Sequence, residues 1–166
     1  MKLSHLLLTL LVTLALTACG KDASNTSSTS TSKNHLSMNI NGTPWIADHK
    51  IWGAFHPAGY NQAIVISGSK GPEDKQEQAF NLNLYYTPGP GTYRIAKGNS
   101  DNSVIQLVNL SPDNFLYGSV MGFDVKVTIT KASANPTVIE ATFEGEMSGN
   151  ASDTIKITDG KFTYRE

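Results

Sequence analysis

From His35 onward the chain alternates. Leu36, Met38 and Ile40 are apolar and Ser37 and Asn39 polar, the period-two signature of a half-buried strand. Asn41-Gly42 follows, the dipeptide that best suits a tight hairpin, and predicts a partner strand over Thr43 to Ala47, with Pro44 near its start. Lys50 to Phe55 is a third apolar stretch, ended by His56-Pro57-Ala58-Gly59. Ala63 to Ser67 contains Ile64, Val65 and Ile66 and reads as a strand buried on both faces. Gly68 to Gln78 is polar and reads as an exposed loop. In Ala79 to Tyr86 the pattern turns Phe80, Leu82, Leu84 and Tyr86 inward, and Asn81, Asn83 and Tyr85 outward. Further strands are predicted over Thr92 to Ala96, Val104 to Leu110, and Phe115 to Val120.

The C-terminal third is the most regular. Phe123, Val125, Val127 and Ile129 oppose Asp124, Lys126, Thr128 and Thr130. After a turn at Ala134-Asn135-Pro136, Ile139, Ala141, Phe143, Gly145 and Met147 alternate with Glu140, Thr142, Glu144 and Glu146. Ile155 and Ile157 then precede an Asp159-Gly160 turn and a last strand with Phe162 and Tyr164. About ten short strands at this spacing, without an amphipathic helix among them, predict a single all-β domain over 35–166, an antiparallel β-sandwich or a barrel-like fold.

The first 34 residues follow another rule. Lys2 precedes an apolar run from Leu6 to Leu16, which is too short for a stable span and has the layout of a secretory signal. It closes on Leu16-Thr17-Ala18-Cys19, which resembles the lipobox of bacterial lipoproteins. The resemblance implies cleavage after residue 18, a diacylglyceryl thioether on Cys19 and acylation of the new amine. More than one acyl chain is needed for lasting attachment, since each buried methylene contributes only about 0.8 kcal/mol. In the Gram-negative lipoproteins that the chain resembles, an aspartate directly after the cysteine marks retention in the inner membrane, so the likeness, with Gly20 in that place, implies the outer membrane. Ala23 to Asn34 is Ser, Thr and Asn with almost no apolar content; residues 19–34 therefore read as a disordered tether. About 15 such residues span roughly 20 Å.

Composition narrows the chemistry. The formal net charge is −1, and loss of Lys2 with the leader leaves twelve basic and fourteen acidic residues. Such a balance offers no field to recruit nucleic acid. Cys19 is the only cysteine, so neither a disulfide within the chain nor a cysteine-rich zinc site can form. No cofactor-binding motif is present.

A second resemblance covers the domain itself. Asn41-Gly42-Thr43-Pro44-Trp45, Gly91-Thr92-Tyr93 and Ile157-Thr158-Asp159-Gly160-Lys161-Phe162 look like an uncharacterised family of bacterial lipoprotein domains. That likeness implies an all-β exported domain and carries no activity.

Candidate chemistry is sparse. Ser67-Gly68-Ser69 lacks the first glycine and the following helix of a nucleophile elbow. Glu140, Glu144 and Glu146 fall on one solvent face, with Lys126 on the neighbouring strand as a partner. Asp48, His49 and His56 are the nearest thing to a metal grouping, at a spacing that matches no familiar ligand set. No catalytic or metal-ligating residue is assigned. The better signal is aromatic. Trp45, Trp52, Phe55 and Tyr60 fall close together, with His56 and Asn61 interleaved, and large aromatics serve either a core or a binding lip. Trp52, Phe55, His56, Tyr60 and the outward Tyr85 form the expected ligand-binding set. The expectation is a lipid-anchored envelope protein, held in the membrane through Cys19, whose domain binds a protein, a glycan or a small apolar ligand. The alternatives are a lipocalin-like carrier and a hydrolase with a site assembled from distant residues.

Overall fold

A computed structural model of the chain describes residues 34–59 and 62–166. The expected signal peptide, Cys19, nearly all of the expected tether and Tyr60 lie outside the described residues. The described residues belong to one compact unit.

Among the described residues eleven strands make two wholly antiparallel sheets. In chain order they are β1 (His35–Ile40), β2 (Thr43–Ile46), β3 (His49–His56), β4 (Ala63–Lys70), β5 (Gln78–Tyr85) and β6 (Gly91–Ala96). Then come β7 (Val104–Val108), β8 (Leu116–Gly118), β9 (Phe123–Ala134), β10 (Thr137–Ser148) and β11 (Thr154–Arg165). The six-stranded sheet has the order β2-β1-β11-β10-β9-β6, and the five-stranded sheet β3-β4-β5-β7-β8. The sheets do not close into a barrel; the fold is a β-sandwich.

The inward half of each alternating pattern meets in a single core. Leu36, Ile64, Ile66, Phe80, Leu82, Leu84, Ile105, Leu107, Val125, Val127, Ile139, Met147 and Ile157 are fully shielded from solvent. Aromatic rings tie the layers: Phe80 of β5 stacks on Phe143 of β10 at 5.3 Å between centroids, and Trp45 of β2 lies 6.4 Å from Phe80. With one side of each sheet buried, register is strongly specified, since a slip by one residue would turn the apolar set to water.

Several local expectations change. The apolar run of β4 is buried on one face only; Val65 and Ser67 are half-buried, so the opposite face of the five-stranded sheet is open. The loop after β4 is shorter than its polar composition suggests, because Ser69 and Lys70 pair with Ala79 and Gln78 and extend the hairpin. Tyr86 is 58 % exposed instead of inward. The chain leaves the sheet there with φ +53°, its N–H donating to Gln62 O, and Thr87 is the residue that turns in. Of the segment from Phe115 to Val120 only Leu116–Gly118 is strand, and both Phe115 and Val120 are exposed. Asp159-Gly160 is a bulge within the continuous β11 instead of a turn between two strands. Asp159 takes φ +53°, and a Cβ on Gly160 would stand 2.4 Å from Phe143 O, so the position requires glycine.

Candidate functional site

The two outer faces differ in kind. On the six-stranded sheet charged outward positions are interleaved with threonines, and several of the charges pair across strands. Arg94 on β6 donates two hydrogen bonds to Asp124 on β9, at 2.8 and 2.5 Å. Lys126 on β9 pairs with Glu144 on β10, as the alternation predicts, and Lys131 faces Glu140 at 3.8 Å. Glu140, Glu144 and Glu146 therefore occupy one strand face. The guanidinium of Arg94 holds the Asp124 carboxyl below the usual carboxylate range.

The outer face of the five-stranded sheet carries no Lys, Arg, Asp or Glu over three successive rows of residues. Register places Trp52, Ser67, Asn81 and Gln106 side by side on β3, β4, β5 and β7. The next row is Ala54, Val65, Asn83 and Val104, and the third is His56, Ala63 and Tyr85. Strands are about 4.8 Å apart and alternate residues about 7 Å, so the three rows cover a nearly flat patch about 14 Å on a side. Trp52 is 49 % exposed at the rim, and Asn81, Asn83, Gln106 and Tyr85 are half-buried. Among the described residues no hydrogen bond engages the side-chain amides of Asn81, Asn83 or Gln106. Small side chains at Ala54 and Ala63 leave the middle low, and an open depression of about 530 Å³ lies against His56, Ala58, Ala63 and Tyr85.

Charge begins at the row beyond Trp52, where His49, Ser69 and Ala79 are aligned. His49 Nδ1 bonds the Asp48 carboxylate, and its Nε2 faces Glu77 Oε1 at 3.4 Å without closing a hydrogen bond. Lys50, in a left-handed bulge of β3, bonds Glu77 at 2.8 and 2.9 Å and approaches Glu73 at 3.2 Å. The bond from Asp48 raises the His49 pKa and lowers that of Asp48, and Lys50 lowers that of Glu77. This cluster consumes its own charges and borders the neutral patch.

Of the expected binding residues, the structure brings Trp52, His56 and Tyr85 to this one face. Phe55 is 8 % exposed and points into the core, beside Gly89. Trp45 is also buried, its indole N–H donating to Gln78 Oε1 at 2.7 Å. Tyr60 lies outside the described residues. Asp48 and His49 are divided from His56 by the length of β3, over 20 Å at about 3.3 Å per residue, and no metal-ligating cluster is found among the described residues. Ser67, Asn81, Asn83 and Gln106 share this face and are absent from the expected binding set. Their signal lies in the polar half of the alternation, which supplies amides and hydroxyls in these strands where β9 and β10 supply charges.

A second concavity lies at the sandwich corner between the β1–β2 hairpin and the loops after β4 and β7. Two adjoining depressions, of about 520 and 380 Å³, share Lys70, Gln78 and Leu110, and exposed Phe115 lines the larger one.

No family model, curated protein or solved structure matches this chain.

Proposed function

We propose that the protein is a lipid-anchored lipoprotein of the bacterial cell envelope whose β-sandwich is a non-enzymatic binding module, with the outer face of the five-stranded sheet as its binding surface. The observation that carries the binding assignment is that open, uncharged face, which holds Trp52, His56 and Tyr85 together with three amides free to bond. A sheet face kept free of lysine and glutamate, while its counterpart is laced with ion pairs, suits an occupant better than bulk water. The inward side chains of the two sheets form one hydrophobic core cluster, which favours this reading over a lipocalin-like carrier that needs interior space for its cargo.

The anchor rests on Leu16-Thr17-Ala18-Cys19. The chain enters the sandwich at Asn34, whose side-chain carbonyl accepts from Arg165 N. A tether that reaches roughly 20 Å lets the domain reorient above an outer-membrane surface. Membrane fractionation tests this. Wild-type protein should sediment with membranes through a salt wash, and Cys19→Ser should move it to the soluble fraction. Retention of the Cys19→Ser variant in washed membranes would remove the lipid anchor from the proposal.

A further inference from the structure

The face just described has a chemistry specific enough to name its ligand class, and this step rests on its being the binding surface. We propose that it binds a neutral glycan, laid across β3, β4, β5 and β7 with one sugar ring stacked on Trp52.

The argument begins from what the patch lacks. An acidic or basic polymer would call for opposite charge, and no Lys, Arg, Asp or Glu lies within the three rows; a buried partner charge without a counter-ion is costly. An apolar ligand would strand the amides of Asn81, Asn83 and Gln106, each losing water for nothing. A sugar avoids both penalties. Its hydroxyls donate and accept, as do the amides; Ser67 Oγ, whose own proton points to Trp52 O at 3.4 Å, can accept; and the axial C–H face of a pyranose is apolar enough to lie flat on an indole. Trp52 is placed for that stacking, half-exposed at the rim and in direct register with Ser67, Asn81 and Gln106. The row runs perpendicular to the strands for about 14 Å, the reach of a short oligosaccharide. Tyr85 and His56 flank the depression two rows away and offer a second ring and an imidazole to a branch or a neighbouring sugar.

The corner groove differs on each point. It sets Lys70 and Lys75 beside Leu110 and Phe115, a mixture of cations and apolar surface that a neutral polyhydroxylated chain does not match.

The test uses the full chain in a zwitterionic detergent that lacks a sugar headgroup. Its probes are cello- and chito-oligosaccharides, an oligogalacturonate as the anionic control, and an acidic peptide. Binding is followed by calorimetry and by tryptophan emission. We expect saturable binding of at least one neutral oligosaccharide. Trp52→Ala should weaken it about tenfold or more, as for a central aromatic anchor. Asn81→Ala should weaken it about fivefold, Trp52→Phe should keep most of it, and Phe115→Ala in the corner groove should leave it unchanged. All three positions reach solvent, Asn81 in part, and circular dichroism verifies that each variant folds. Binding of the oligogalacturonate or the peptide alone, lost in Trp52→Ala, would overturn the assignment of a neutral glycan and leave the face as the binding surface. Absence of binding by every probe, or binding lost in Phe115→Ala and kept in Trp52→Ala, would overturn both.

Discussion

Tyr117 donates a 2.5 Å hydrogen bond to Asp153 across the line where the two sheets meet. Tyr117 lies on β8, at the edge of the five-stranded sheet, and Asp153 in the loop between β10 and β11 of the other. Around this bond the loops interlock. Asn114 reaches the same carboxylate at 3.2 Å, Leu116 N donates to Asn150 Oδ1, and Ala151 N donates to Asn114 Oδ1. The phenol is 3 % exposed, whereas Asp153 is open to water. Removing one partner is therefore not equivalent to removing the other. Asp153→Ala leaves a buried hydroxyl unpaired and should cost about 1–3 kcal/mol, while Tyr117→Phe leaves a carboxylate that water can serve and should cost about 1 kcal/mol. Urea denaturation of both variants checks the order; equal costs would show that the bond itself carries little.

The same pair sets an alkaline limit. Burial first, and then the hydrogen bond to Asp153, push the Tyr117 phenol from its ordinary 10.0 up to about 12. The folded state thus holds this proton more tightly than the unfolded chain. The associated stability is complete below the ordinary value and is lost as pH rises through the window toward the folded value. Denaturation curves collected on either side of pH ~10 should fall off in the wild type and flatten in Tyr117→Phe. An identical alkaline slope in the two proteins would remove Tyr117 from the account.

His49 makes a link of the same sign, at neutral pH. Its bond to Asp48, with weaker help from Glu73 and Glu77, raises its pKa above 6.5. Folding therefore favours the imidazolium, and that contribution is present below 6.5 and fades as pH rises through the folded value. Asp48, lowered chiefly by the same bond, contributes above its ordinary carboxylate value and loses that contribution as pH falls. Histidine proton resonances followed through a pH titration should show His49 titrating above a model imidazole. Asp48→Asn should bring it back down. If the variant leaves the His49 midpoint unmoved, another group sets it.

Much of the architecture was legible because the alternation is long and regular where it matters. Residues 123–129 of β9, 139–147 of β10 and 80–84 of β5 each show it without interruption, and the inward residues Val125, Val127, Phe143, Phe80 and Leu82 are core residues as expected. Errors collected where backbone geometry, and not hydropathy, decides. Tyr86 continues the period of β5 but sits at φ +53°, and Asp159-Gly160 has turn-like composition yet serves as a bulge inside β11. The aromatic cluster was legible as a cluster and not as a surface. Phe55 and Trp52 are three residues apart in a strand that bulges at Lys50, and one faces the core while the other faces water. The amide row was hidden for a plainer reason. Ser67, Asn81 and Gln106 lie on three strands, and only the register joins them. The motifs that carry the resemblance to the lipoprotein domains also have structural duties here: Asn41-Gly42 forms the β1–β2 turn, Trp45 is core, and Gly160 is held against Phe143.

The bond between Trp45 and Gln78 is the polar counterpart of the aromatic packing around Phe80. Trp45 belongs to β2 and Gln78 to β5, so the 2.7 Å contact joins an edge strand of one sheet to the middle of the other. β2 has only four residues, one of them Pro44, and its single ladder is with β1. Its attachment thus depends on the indole, which is 2 % exposed and has one N–H to satisfy. In Gln78→Leu that donor is buried without a partner, at a cost of about 1–3 kcal/mol. Gln78→Glu keeps an acceptor in place and should retain most of the stability. Because Trp52 also emits, the comparison is best made in a Trp52→Phe background, where fluorescence reports Trp45 alone. There Gln78→Leu should lower the urea midpoint and shift the emission of the native state. A variant as stable as its parent would mean that β2 is held by the packing of Trp45 on Phe80, with the hydrogen bond incidental.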